Sequence, residues 1–324
     1  MKPLWRPLGV GDIPDCAAVS QAIADFDGGS SQYTAAQLAE RITAEHIELD
    51  RAGIGCFAGD SPIGFGLVGA LMPFGTGHQV RLRGGVHPAR RGEGIGRKLV
   101  GWLVERAAAL HGDQARPDTQ LVVYGEATNQ SQRRLLQRFG FRPAREFISM
   151  ECELAGLDGA VTVPDGLRLL DYTSDVDEAT RSAFNDSFAD HWDAPSASEW
   201  QWRSRYTGST SFLPGMSAVL LDEQTSQVAA FVLSYLGHAA QVDGGDASVP
   251  VEIDIGDVGT VRSWRSRGAA SALLAHVLRR ARDAGYPRAT LAVDAQNPTG
   301  ALGVYERCGF TAEGRWAAFT RDLG

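Results

Sequence analysis

Ala270, Leu273, Leu274, Val277, Leu278 and Ala281 recur at the spacing that places apolar side chains along one face of a helix. Ile95, Leu99, Trp102, Leu103 and Leu110 draw a similar stripe in the first half of the chain. Each stripe follows a run of alternating polar and apolar residues, which is the period of a half-buried strand. These runs are Gln79-Val-Arg-Leu-Arg83 and Val251-Glu-Ile-Asp-Ile-Gly-Asp-Val258. A further strand then follows each helix, over Gln120 to Tyr124 and over Ala289 to Val293, and leads through an Asn-containing turn into another helix. The pattern predicts one α/β unit used twice.

The stretch from Ala155 to Gly166 is rich in glycine and has no period, so it reads as a boundary. It predicts domains over 1–155 and 167–324, joined by a linker over 156–166. Phe147 to Leu154 reads as the last strand of the first domain, and Leu167-Arg-Leu-Leu170 opens the second. A helix is expected over 173–190, with Val176, Ala179, Ala183, Phe184 and Phe188 on one face. Ser196-Ala-Ser-Glu199 has the pattern of a capping box for a short helix after it. A chain of 324 residues suits this division, since two domains of about 150 residues each bury a core of their own.

Hydrophobic residues at 44% and charged ones at 22% are those of a globular protein. The net charge of -8 argues against nucleic acid as a partner, so any anion site must be local. No stretch approaches the roughly 18 apolar residues of a membrane span, and the amino terminus lacks a signal-peptide core. The expectation is a cytoplasmic protein that engages neither membrane nor nucleic acid. Cys16, Cys56, Cys152 and Cys308 are scattered without metal spacing and read as reduced, packed thiols.

Chemistry concentrates between strand and helix. The first loop reads Val86-His-Pro-Ala-Arg-Arg91-Gly-Glu-Gly94-Ile-Gly96, and the second Thr260-Val-Arg-Ser-Trp-Arg265-Ser-Arg-Gly268-Ala-Ala270. Both are R-x-x-G-x-[GA] at a helix start, and both are followed by a Gly-Phe pair, Gly140-Phe141 and Gly309-Phe310. A strand, a glycine loop and a helix N-terminus bring unpaired N–H groups and the positive end of a helix dipole to one point, which suits a phosphate. Arg91, Arg97, Arg265 and Arg267 add charge there. The G-x-x-x-x-G-K-[ST] loop of P-loop nucleotidases is missing, as is the dinucleotide fingerprint with its downstream acid.

With Asn129 to Gly140-Phe141 and Asn297 to Gly309-Phe310, these runs resemble the ordered motifs of the GNAT superfamily of N-acetyltransferases. The resemblance covers both halves of the chain. Its tandem form is similar to that of mycothiol synthases and their relatives, in which the carboxy-terminal domain is the catalytic one. It implies an α/β (α+β) fold: two GNAT domains, each a mixed, mostly antiparallel sheet flanked by helices, with central strands that splay to admit the pantetheine of acetyl-CoA. By position, Val258, Gly259 and Thr260 would face the pantetheine. Arg265, Ser266, Arg267, Gly268, Ala269, Ala270 and Ser271 would hold the pyrophosphate, and Asn297 belongs to the later coenzyme motif. The first-domain set is Gly84, Gly85 and Val86 with Arg91, Gly92, Glu93, Gly94, Ile95, Gly96 and Arg97.

Acylating an amine of pKa near ~10 requires a group that takes its proton, and the leaving thiolate of pKa roughly 8.5 is helped by a donor. The resemblance implies Asp254 as the carboxylate and Tyr305 as the acid. Glu252 shares the face of Asp254, and a bulge at Gly256 would bring Asp257 into phase with both. The corresponding first-domain positions are Val80 and Leu136, so that domain is expected to bind coenzyme without performing chemistry. His191 and Trp192, beside Asp193, are the candidates for holding a small-molecule amine. A cysteinyl amine of the mycothiol type, a protein amine, and a non-catalytic acyl-CoA sensor stay open as alternatives.

Overall fold

The alternation along Gln79–Arg83 becomes a strand over Gly77–Val86 in the computed structural model, which describes residues 3–28, 35–44, 47–74, 77–114, 116, 118–157, 161–189, 191–192, 196–237, 252–297 and 300–323. The chain divides into two compact units, Met1–Phe147 with Gly314–Gly324, and Ile148–Glu313. In the first unit β1 (Leu4–Pro7), α1 (Ile13–Asp27), α2 (Ala35–Ala44) and α3 (Leu49–Ala52) precede β2 (Gly53–Ala58) and β3 (Ser61–Phe74). Then come β4 (Gly77–Val86), α4 (Ile95–His111), β5 (Thr119–Glu126), α5 (Gln130–Arg138) and the start of β6 (Arg142–Glu153). The second unit runs through β7 (Leu167–Asp171), α6 (Asp177–Ser187), α7 (Glu199–Trp202), β8 (Ala218–Asp222) and β9 (Val228–Leu236). It continues with β10 (Ile253–Thr260), α8 (Ala269–Asp283), β11 (Arg288–Asp294), α9 (Ala301–Arg307) and the start of β12 (Thr311–Asp322).

The strand order of the first unit is β1-β2-β3-β4-β5-β12, and that of the second is β7-β8-β9-β10-β11-β6. β4 with β5, and β10 with β11, pair in parallel. The pairs β1/β2, β2/β3, β3/β4, β5/β12, β7/β8, β8/β9 and β9/β10 are antiparallel. Each unit is thus the mixed, mostly antiparallel sheet expected of the fold.

The linear division of the sequence is corrected at the last strand of each unit. Ile148, Met150, Cys152 and Leu154, expected in the first domain, are buried in the core of the second unit with Leu273, Leu274, Val277 and Leu291. The end of the chain returns to the first unit. There Trp316 to Asp322 pair with Glu126 to Gln120, and Ala317 and Phe319 join Leu99, Leu103 and Leu121 in its core. Alternation marks a half-buried strand without recording which sheet receives it.

Helices cover both faces of each sheet. α4 and α8 carry the two predicted stripes, with Leu99, Leu103, Leu273, Leu274 and Val277 buried against the strands. Each such leucine contributes about 1.5–3 kcal/mol relative to exposure. The opposite face of the second sheet is covered by α6 and α7 through Phe184 and Trp202, which meet Phe231 and Leu233 of β9. The helix expected over 173–190 begins with a 3-10 turn at Ser174–Val176 and ends at Ser187. The capping box sits two residues later than read: Ser198 caps α7 and Gln201 closes the box. All four cysteines are free thiols, and among the described residues no helix is long and apolar enough to cross a membrane.

Candidate active site

In the second unit the parallel pairing of β10 and β11 covers only Ile253↔Ala289 and Asp254↔Thr290, although β10 runs on to Thr260 and β11 to Asp294. In the first unit the pairing of β4 and β5 stops at Arg81↔Val122. The two central strands of each sheet therefore part midway. Past Asp254, the side of β10 that faces β11 carries peptide groups outside the ladder, at Val258, Gly259 and Thr260. Such a gap accepts an extended arm with amides of its own.

Each gap leads to its glycine loop. Gly92 and Gly94 take φ of 85° and 80°, and Ser266 and Gly268, at the corresponding places, take 60° and 86°. Left-handed residues interleaved in this way turn successive N–H groups toward one side and form an anion-binding concavity. Neither α4 nor α8 receives a side-chain cap at Gly94 or Gly268, so the first-turn N–H groups stay open. Space is open around Gly268 to at least 4 Å from where a Cβ would stand. The Ser187 hydroxyl, at the helix end beside the loop, is buried without a hydrogen-bond partner. These features fit a diphosphate-bearing coenzyme over Ser266 to Ser271.

The first arginine of each loop also makes contacts within its own unit. Arg265 donates from Nε to the Thr260 carbonyl at 3.3 Å and from Nη2 to the Ser187 carbonyl at 2.9 Å. Arg91 reaches the Val86 carbonyl at 3.4 Å and grips Asp27 through two bonds of 2.6 and 2.9 Å. Both tie the strand end to the end of the unit's first long helix. Arg267 stacks over Trp264 at 4.9 Å, and Glu93 pairs with Arg90 at 2.7 Å.

The β9–β10 register shifts between Ile255 and Asp257, which is the bulge read at Gly256. Without it, Asp254 and Asp257 would point to opposite faces. With it, Asp254 opposes Tyr235, Asp257 opposes Leu233 and Gly259 opposes Phe231, all on the face covered by α6 and α7. The Tyr235 hydroxyl donates to Asp257 Oδ2 at 3.0 Å. Glu252 lies further along, nine-tenths buried, with Arg288 at 3.8 Å.

Burial pushes Asp254 up to about 7, helped by the charges of Asp257 and then Glu252, while a hydrogen bond from Thr290 opposes the shift. Burial likewise raises Asp257 to about 6, against the Tyr235 hydrogen bond, which favours its charged form. Two carboxyls with such proton affinities exchange protons near neutrality. Tyr305, on α9, is 8% exposed. Burial first, then the charge of Asp257, raise its phenol far above the ordinary range, so it keeps its proton until a stronger base claims it.

The first unit offers apolar side chains at the corresponding positions, with Val80 and Leu136 both in its core. Its Gly85 is overlaid by Ile23, whose Cδ1 would stand 2.7 Å from a Cβ, and Asn129 donates to Asp27 at 3.1 Å.

His191 follows α6, and its backbone N–H reaches the Phe188 carbonyl at 2.8 Å while its ring meets that of Phe188 edge-on at 5.5 Å. Phe188 leads on to Phe231, opposite Gly259, so this end of α6 adjoins β10 and the glycine loop after it. Trp192 lies beside it, and Asp193 falls outside the described residues. Tyr235 reaches the acids through its hydroxyl, and the ring of Phe212 stands 5.7 Å from its own. Tyr235 sits in an apolar strand with no motif around it. Only its register with Asp254 marks it.

The acetyltransferase (GNAT) family model matches residues 177–310, and a GNAT acetyltransferase domain model matches 52–143. A mycothiol acetyltransferase of Thermobispora bispora is 30% identical over 71% of this chain and 71% of its own. Another, from Clavibacter sepedonicus, is 27% identical over 69% of this chain and 67% of its own. The solved structure of a GCN5-related N-acetyltransferase from Sphaerobacter thermophilus superposes with a TM-score of 0.76 at 24% identity, covering 99% of this chain and 96% of that one. Two such domains in order, each with its splayed strands and glycine loop, place the chain in the GNAT acetyltransferase family as a tandem-domain, acyl-CoA-dependent N-acetyltransferase.

Proposed function

We propose that the second unit transfers the acetyl group of acetyl-CoA to the primary amine of a small molecule by direct attack. The observation that carries this reading is the placement of two near-neutral carboxyls, Asp254 and Asp257, where the central strands part, with a protonated Tyr305 nearby. Asp254 takes one proton from the bound ammonium, and Asp257, kept ionised, holds the amine. The freed nitrogen pair forms the new bond to the acetyl carbon as the carbon–sulfur bond breaks, and Tyr305 gives its proton to the departing sulfur. Backbone groups of Val258 to Thr260 and the loop from Ser266 to Ser271 orient the donor. The first unit, with Val80 and Leu136 at the matching places, moves no protons.

A cysteinyl amine is the acceptor to try first, because the curated relatives carry the name mycothiol acetyltransferase. The hydroxyl beside the acids comes from Tyr235 on β9. The test is thiol release from acetyl-CoA with a panel of primary amines that includes S-methylcysteinamide, glucosamine and spermidine. Turnover that falls by about 10²-fold or more in Asp254→Asn is expected for loss of a general base. Tight coenzyme binding with no turnover on any amine would defeat the proposal.

A further inference from the structure

Tyr235 is built into the second sheet with more care than core packing needs. Its ring lies across the bulge, where a Cβ on Gly256 would stand 2.5 Å from Cε2. Phe212 packs on the ring, and a backbone bridge joins the two residues. The outcome is a hydroxyl delivered to one oxygen of Asp257, two strand positions away from its own cross-strand partner, Asp254. A core tyrosine would have been served by any acceptor. This one is aimed at a half-buried carboxylate in the mouth of the splay.

We infer that Tyr235 is a positioning residue of the transfer reaction, holding Asp257 by Oδ2 so that its other oxygen stays free to engage the amine. The inference rests on the reading of Asp254 and Asp257 given above. The groups facing this pair come from every side: Glu252 along β10, with Arg288 beyond it, Thr290 on β11, Tyr206 near Tyr235, and Tyr305 on α9. None of the hydrogen bonds among the described residues gives either aspartate a guanidinium or ammonium partner. The hydroxyl of Tyr235 is therefore the polar group that keeps Asp257 ionised and in place until the cationic amine arrives.

Tyr235→Phe removes only the hydroxyl and keeps the ring over Gly256. The experiment follows the side-chain carboxyl carbons of [13C]Asp-labelled full-length protein through pH, with Asp254→Asn and Asp257→Asn for assignment. The midpoint of Asp257 is expected to rise by about one unit in Tyr235→Phe, the loss of a hydrogen bond to the charged form. In parallel, thiol release from acetyl-CoA with the best amine of the panel is expected to show its acid limb moved upward. At pH below both limbs the rate falls about 10-fold, while KM for acetyl-CoA is unchanged. Phe212→Leu, which loosens the ring but keeps the hydroxyl, should lower Tm and move the Asp257 midpoint less than Tyr235→Phe does. An identical Asp257 midpoint in the wild type and Tyr235→Phe overturns the inference whatever the activity, and so does an unmoved acid limb in an active variant. A wild type that turns over no amine removes the reaction itself, and the carboxyl titration tells that failure from this one.

Discussion

Asp257→Asn tests the electrostatics of the site most directly, because it deletes one charge and almost no volume. Asp254 stands at about 7 against an ordinary 3.8, with burial the largest cause and Asp257 the next. Removing the neighbouring charge leaves the burial in place and takes away on the order of one unit, as expected for like charges sharing a site. The acid limb of kcat/KM reports the base in free enzyme. The wild type should therefore lose activity as pH falls through about 7, and Asp257→Asn through roughly one unit lower. Well below both limbs, the variant keeps about tenfold more of its own plateau rate than the wild type does. Its plateau is lower and its KM for the amine higher, since a carboxylate that would hold the ammonium is gone. The assay is initial-rate thiol release at saturating acetyl-CoA over pH 5.5 to 9, with circular dichroism at each end to exclude unfolding. An acid limb that stays put or moves up in Asp257→Asn would refute the coupling between the two carboxyls.

Tyr305→Phe should lower kcat by about 10²-fold while leaving KM for the amine within a few-fold, as for loss of a general acid; steady-state kinetics at pH 8 decide it. Asp254→Asn should lose activity and gain stability at once. A carboxyl whose folded value is raised weakens the fold where it is ionised, so the penalty is present above about 7 and gone below the unfolded value of 3.8. Urea unfolding should show a gain of about 1–3 kcal/mol at pH 8 and none at pH 3.5. In the first unit Gly84 and Gly92 both have positive φ, of 120° and 85°, but a Cβ at Gly84 would lie 2.1 Å from the Phe65 carbonyl oxygen, while nothing is near Gly92. Gly92→Ala should cost about 1–2 kcal/mol, and Gly84→Ala more than about 3 kcal/mol, because backbone must move. Equal losses on urea unfolding would refute the steric account.

The features legible in the sequence are those carried by local periodicity. The stripes of α4 and α8, the strands before them and the bulge at Gly256 are each written within a dozen residues. The alignment of Asp254 with Asp257 followed from that bulge alone. What sequence did not reveal depends on partners far along the chain. Tyr235 matters because β9 is registered against β10, and that register is set by the sheet and not by any signal around the tyrosine. Arg91 and Arg265 carry charges suited to phosphate, and the bonds they also make to the ends of α1 and α6 depend on residues far away in sequence. The capping box slid by two residues because Ser196 and Ser198 both satisfy the pattern and only Ser198 has its partner at Gln201.

The strand formed by Trp316 to Asp322 gives the order of synthesis a physical meaning. While the ribosome is still making the second half, β5 offers an open row of peptide groups, and Phe319 and Ala317 are missing from the core they complete. The amino-terminal half therefore stays unfinished until Trp316 to Asp322 have been translated. A stop codon placed anywhere before them damages the part of the protein that was made first.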